Sequence, residues 1–174
     1  FGPEVVPDGD VVHDPAPGPV VTVAFALVKG ERPELVVQKL TELGVDRIVP
    51  FLAERSVVRR DPAREARHHT RLVRIGREAA MQSRRTWLPE ITVTSTFDDV
   101  VGLPGAIAAD LGGAPPSLDR PTVLVGPEGG WSDRERAALP GTVALGSGVL
   151  RAETAAIAAG VVLTVLRGGL VEPR

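Results

Sequence analysis

The stretch Pro121-Thr122-Val123-Leu124-Val125-Gly126-Pro127-Glu128-Gly129-Gly130-Trp131-Ser132 decides how this chain is read. Residues 121–126 are a short apolar run, the pattern of a strand buried on both faces of a parallel sheet. A glycine-rich loop follows at once, and Ser132 with Glu135 spells a capping box that opens a helix. Three glycines allow a ligand close to the backbone, and Pro127 stiffens the turn. A phosphate-binding loop is excluded, because no Gly-Lys-Ser/Thr follows and Glu128 would repel phosphate. The G-x-G-x-x-G spacing of dinucleotide-binding folds is absent as well.

Working outward, strands are predicted over 20–28, 46–52, 90–94, 105–109 and 142–145. Helices are predicted over 31–43, from Asp61 as N-cap to about Ser83, from Ser132, and over the Ala-rich stretch 151–167. Leu35, Val36, Leu40 and Leu43 share a face of the first helix, Pro33 suits its first turn, and Gly44 suits its C-terminal cap. Residues 111–119 are expected to form a flexible surface loop. Strands alternating with helices imply an α/β fold, a mainly parallel sheet with helices on both faces. Ligands in such folds gather beyond the strand C-termini. A second glycine-bearing loop lies at such a place, Leu145-Gly146-Ser147-Gly148-Val149-Leu150-Arg151, and its apolar residues suit the walls of an adenine site. Arg151 falls near a helix start, where a cation needs a partner such as Glu128, Glu153 or a substrate phosphate.

Net charge is −2, yet ten of the twenty Lys and Arg residues lie between Arg55 and Arg85. Only Asp61, Glu65 and Glu78 oppose them there, leaving that segment about +7. Arg60, Arg64, Arg67, Arg71 and Arg74 recur at helical spacing and form one stripe, for which nucleic-acid phosphate is the natural counter-charge. Leu72, Ile75, Ala79 and Ala80 fall on the opposite face and are expected to pack on the sheet. Gln82, Ser83, Arg84 and Arg85 make a polar corner at the end of that helix, suited to reading a base or gripping a phosphate. Trp87 and Trp131 are expected in the core rather than stacked on a base. The chain has no Cys, and His13, His68 and His69 lack metal-ligand spacing, so no metal site is expected. No apolar run is long enough to span a bilayer and no signal peptide opens the sequence, which leads to an expected cytoplasmic location. Residues 1–19 hold five prolines and read as a linker from a further N-terminal domain, with one domain over 20–174.

Five ordered blocks resemble one family. Gly126-Pro127-Glu128-Gly129-Gly130-Trp131-Ser132 with Glu135 is similar to the first cofactor loop of the RsmE-type methyltransferases of the SPOUT superfamily. Leu145-Gly146, Val149-Leu150-Arg151 and Glu153-Thr154-Ala155 resemble their second loop. Gln38-Lys39 with Thr41 to Val45, Glu54-Arg55-Ser56, and Glu78-Ala79-Ala80 with Gln82-Ser83 resemble three further blocks. Met81, Arg84 and Val149 depart from the family pattern, which places glycine at the position of Arg84.

The resemblance implies an α/β sheet whose C-terminal part is tied in a deep trefoil knot, a rare exception to the rule against threading. It implies S-adenosylmethionine as cofactor, a homodimer, and methylation of N3 of one uridine in the 16S rRNA of the small ribosomal subunit. Members carry an N-terminal barrel resembling a PUA domain. The cofactor would be held by Leu124, Val125, Gly126, Pro127, Glu128, Gly129 and Gly130 from the first loop. Leu145, Gly146, Ser147, Val149, Leu150, Arg151, Thr154 and Ala155 would serve from the second. Glu128 is the candidate general base. Arg55, Arg84 and Arg151 are candidates for gripping the target nucleotide. A ribose 2′-O methyltransferase acting on tRNA, or a non-catalytic RNA-binding module for ribosome assembly, are the alternative readings.

Overall fold

The computed structural model describes residues 9–10, 12–27, 33–56 and 62–171. In order these form β1 (Thr22–Ala26), α1 (Pro33–Leu43), β2 (Arg47–Leu52), α2 (Pro62–Gln82), β3 (Glu90–Ile91) and β4 (Ser95–Thr96). Then come α3 (Phe97–Val101), β5 (Ala106–Ala114), β6 (Thr122–Val125), α4 (Asp133–Ala138), β7 (Thr142–Val143) and α5 (Ala152–Arg167). The strands lie in the order β3-β2-β1-β6-β5-β7, with β4 also on β2, and every pairing is parallel.

β1 and β6 occupy the centre and are buried along their whole length, as their unbroken apolar runs require. They pair in register from Thr22↔Thr122 to Phe25↔Val125. Alternate residues then build two cores. On one face Val23, Phe25 and Val123 pack with Val36, Val37 and Leu40 of α1, Leu72 of α2, and Ala156, Ala159 and Leu163 of α5. On the other, Ala24, Leu124 and Phe51 pack with Phe97 and Val100 of α3 and with Trp131. Helices therefore cover both faces of a parallel α/β sheet.

The predicted strands and helices are present, with every predicted strand but β5 shorter than expected. α1 is rotated from its expected face: Val36, Val37, Leu40 and Thr41 are buried, while Leu35 and Leu43 are half-buried. Thr41 is tolerated inside because its hydroxyl donates to the Val37 carbonyl at 2.7 Å. β5 corrects the expectation of a loop over 111–119, since the strand continues to Ala114 by pairing with β7 after an irregularity. β4 and α3 were absent from the sequence reading, although Thr96 and Asp99 form a capping box whose signature is visible in Thr96-Phe97-Asp98-Asp99. Asp61, the predicted N-cap of α2, lies outside the described residues, as does Arg60. No described helix is long and apolar enough to cross a membrane.

The edge of the sheet away from the C-terminal strand ends is held by charge. Gly44, at φ 97°, ends α1 as expected. The carbonyls left over there find side-chain donors, Arg85 on Thr41 at 3.0 Å and Arg167 on Gly44 at 2.7 Å. Arg167 also pairs with Asp46, whose carboxylate accepts the Val21 N–H at 2.8 Å, so the end of α5 is tied to the start of β1. Only 11% of the Arg167 side chain and 17% of that of Asp46 is exposed. Replacing Arg167 by Ala leaves a half-paired carboxylate and the Gly44 carbonyl without its donor, and should destabilise the fold by about 3 kcal/mol. Urea denaturation of both proteins measures this, and an unchanged midpoint refutes it.

Candidate functional site

The C-terminal ends of β5, β6 and β7 and the start of α5 meet in a cleft of about 210 Å³. It lies where the chain order of the strands reverses, the place at which parallel sheets bind ligands. Its floor is built by the loop after β6. Gly126 is required by packing, because a Cβ there would stand 2.8 Å from the indole of Trp131. That indole stacks on Phe51 at 6.2 Å and 7°, and meets Phe97 at 5.8 Å and 59°, which fixes the loop to the second core. Pro127 accepts from the Gly130 N–H at 2.8 Å, and Gly130 closes the turn at φ 69°.

Glu135 then ties the loop down. Its carboxylate is fully buried, accepting the Ser132 N–H at 2.8 Å in the capping box and the Glu54 N–H at 2.8 Å from the loop after β2. One buried anion thus joins two loops that are 81 residues apart in sequence. The neighbouring Arg55 closes the same seam by donating to the Gly129 carbonyl at 2.6 Å. Glu54 accepts from Arg134 at 2.9 Å, and Arg134 also holds Asp98 of α3 at 2.8 Å. Bonding to Ser132, then to Arg134, holds the Glu54 carboxyl below its ordinary pKa.

The opposite wall is the second loop. Leu145, Val149 and Leu150 present apolar surface to the cleft, and Val149 is 85% exposed. At Gly146 and Gly148 a Cβ would meet no atom within 4 Å. Arg151 is the N-cap of α5 and its side chain offers no acceptor, so the N-cap makes no side-chain hydrogen bond to that helix's first-turn amides. Arg151 is exposed and makes no ion pair with Glu128 or Glu153 among the described residues.

Of the residues predicted to hold a cofactor, Val125, Gly126, Pro127, Glu128, Gly130, Leu145, Gly146, Val149, Leu150 and Ala155 line the cleft. Gly129, Ser147, Arg151 and Thr154 flank it, and Leu124 faces the core instead, fully buried. The predicted cofactor set missed Ala109, Asp110, Leu111 and Arg136, and also Trp131, Gly148 and Ala152, all of which line the cleft. Asp110 and Leu111 were hidden by reading their segment as a loop, and Arg136 lies on a helix whose facing neighbour only tertiary structure supplies.

The arginines of α2 divide. Arg67, Arg71 and Arg74 are exposed along one side of the helix, with Arg71 3.4 Å from Glu34 and Arg74 3.5 Å from Glu78. Arg64 belongs to α2, but its side chain lies outside the described residues. Gln82 opens onto a polar groove between α1 and α2. Arg84 is exposed at φ 54°, the left-handed conformation that explains why a glycine suits this position. Arg85 is turned inward onto α1, and burial lowers its pKa.

The sequence profile of the RNA methyltransferase domain matches residues 15–164, and the chain belongs to that family. It is 31% identical to the ribosomal RNA small subunit methyltransferase E of Bacillus subtilis, over 78% of this chain and 61% of that protein. A putative methyltransferase of Legionella pneumophila, solved in complex with the cofactor SAM, superposes with a TM-score of 0.74 at 34% identity, covering 83% of this chain and 65% of that one. The ribosomal RNA small subunit methyltransferase E of Neisseria gonorrhoeae, solved bound to S-adenosyl methionine, gives 0.73 at 28% identity, covering 84% and 65%. The chain spans between half and two thirds of the length of the curated relatives it matches.

Trp131 reports on the loop, because it is 4% exposed and Trp87, the other tryptophan, is 38% exposed. Gly126→Val should push the indole out of its stack on Phe51, shift tryptophan emission to the red, and cost about 2 kcal/mol of stability. Unchanged emission and stability would show that the turn does not depend on this contact.

Proposed function

We propose that this chain binds S-adenosylmethionine between the loops 126–130 and 145–150 and methylates N3 of a uridine in the 16S rRNA of the small ribosomal subunit. The observation that carries this reading is the cleft itself, with two glycine-bearing loops facing one another at the reversal of strand order. Its chemistry fits the cofactor. Leu145, Val149, Leu150 and Ala155 offer apolar contact to an adenine, and the open space at Gly146 and Gly148 leaves backbone accessible. When bound, S-adenosylmethionine supplies an electrophilic methyl group.

The protein's own groups must place and deprotonate the base. Glu128 is exposed at the cleft, and its carboxylate accepts the proton of the uracil N3 imide. Arg55, which bonds the Gly129 carbonyl of the same loop, and Arg151, at the start of α5, neutralise phosphate or the developing uracil oxyanion. Arg67, Arg71 and Arg74 extend positive charge away from the cleft along α2, with Gln82 and Arg84 at its far end.

The reading includes a cytoplasmic homodimer and a C-terminal trefoil knot. In support of the knot, β6 inserts between β1 and β5, and α5 returns from the β7 edge to pack on β1 and α1. Mass spectrometry of ribosomal RNA nucleosides, from cells with and without the gene, tests the reaction. Persistence of 3-methyluridine in 16S rRNA after deletion refutes it.

Saturating S-adenosylmethionine should raise the melting temperature of this chain, since a ligand at a hundred times its Kd adds about 2.7 kcal/mol. Gly146→Val should abolish the shift by filling open cleft while leaving the unliganded melting temperature nearly unchanged. No shift for the parent chain sinks the cofactor reading.

Each phosphate contact to single-stranded RNA contributes about 0.7 to the slope of log affinity against log salt. Replacing Arg67 and Arg71 together by Ala should therefore flatten that slope by about 1.4 in filter-binding titrations. An unchanged slope and affinity would make the stripe a solvated face.

A further inference from the structure

We propose that Asp110 is the carboxylate of the cleft that accepts hydrogen bonds from the ribose hydroxyls of the adenosyl cofactor, with Arg136 setting its orientation; this rests on the cofactor reading above. Three observations carry it. First comes position: Asp110 follows the part of β5 that pairs with β6, the strand that delivers the glycine-rich loop. In nucleotide-binding parallel sheets an acidic side chain that binds ribose hydroxyls stands near the glycine loop, in the crevice beyond the strand ends. The ladder with β7 is broken here. Ala109 and Ala114 both pair with Val143, so residues 110–113 are inserted into the ladder as a bulge, with Gly112 at φ 72°. Such a bulge re-aims the side chains it carries, and it brings Asp110 and Leu111 into the wall of the cleft.

The second observation is valence. Oδ1 of Asp110 accepts the Leu111 N–H at 2.9 Å, and Oδ2 accepts Nη1 of Arg136 at 2.7 Å. An ionised carboxylate has about four acceptor positions, so two contacts leave both oxygens a free lone pair for a cis-diol. The third is selectivity among the cleft's carboxylates. Glu128 is the other acid lining it, but Glu128 belongs to the glycine loop itself, is exposed, and has no comparable orienting partner among the described residues. Asp110 is fixed from two sides, and its side chain is 31% exposed. A preset acceptor pair distinguishes a ribose from a deoxyribose, because a hydroxyl bonded to a charged group is costly to lose.

Calorimetry of the whole chain tests this with S-adenosylhomocysteine and its 2′-deoxy and 3′-deoxy analogues. The parent chain should bind each deoxy analogue roughly ten- to a hundredfold more weakly than S-adenosylhomocysteine. Asp110→Asn, which keeps an acceptor for the Leu111 N–H but opposes Arg136 with an amide, should weaken S-adenosylhomocysteine binding by a similar factor. It should discriminate against the deoxy analogues less than about threefold, the mark of a contact already lost. Equal discrimination in the parent and the variant overturns the assignment, and so does a parent chain indifferent to both hydroxyls. Where Asp110→Asn does not fold, Asp110→Ser takes its place with the same expected outcomes. If the parent chain does not bind S-adenosylhomocysteine at all, the cofactor reading falls and this assignment falls with it.

Discussion

The pairing of β1 with β6 is the contact on which the rest depends. It joins Thr22–Phe25 to Thr122–Val125, segments a hundred residues apart in the chain, in the buried centre of the sheet. Every other strand is placed by reference to that pair, β2 and β3 on one side and β5 and β7 on the other. Because all pairings are parallel, all strand C-termini reach the same edge, and the loops there are forced together. The cleft is a consequence of this topology before any of its residues is chosen. Most crossovers between the parallel strands return through helices, which is why both faces are covered and both cores are buried.

Polar groups inside such a structure must be matched, and a few side chains carry that task. Glu135 serves α4 as a capping residue and the Glu54 loop as an acceptor at once, so two walls of the site share one anion. Arg134 repeats the pattern at the surface with Glu54 and Asp98. At the other end of the sheet Arg167, Asp46 and Arg85 satisfy the end of α1 and the start of β1. The site is therefore held by a buried carboxylate on one edge, and the frame by a guanidinium–carboxylate pair on the other. Membership of the RNA methyltransferase domain family agrees with this division between a rigid frame and an open, apolar cleft with exposed cations nearby.

Much of this was legible in the residues alone. Buried strands announce themselves by short runs rich in β-branched residues such as Thr122–Val125, and Ser132 with Glu135 fixes the start of α4 because a capping box needs only local geometry. The glycines of both loops are visible in the sequence, but only the fold shows that Gly126 makes room for the Trp131 indole while Gly146 and Gly148 border open space. What sequence could not decide was set by partners distant in the chain. Nothing in Glu135 itself says that it also accepts from Glu54, nor in Arg85 that its charge turns inward to α1. Nor does local sequence show that Leu124 faces the core while Asp110 enters the cleft, because a strand's two faces are assigned only by what packs on each, and a bulge only by the strand beside it. Local patterns depend on neighbours within a few residues, which the sequence contains. The assembly of a site depends on contacts across a hundred residues, and only the tertiary structure supplies them.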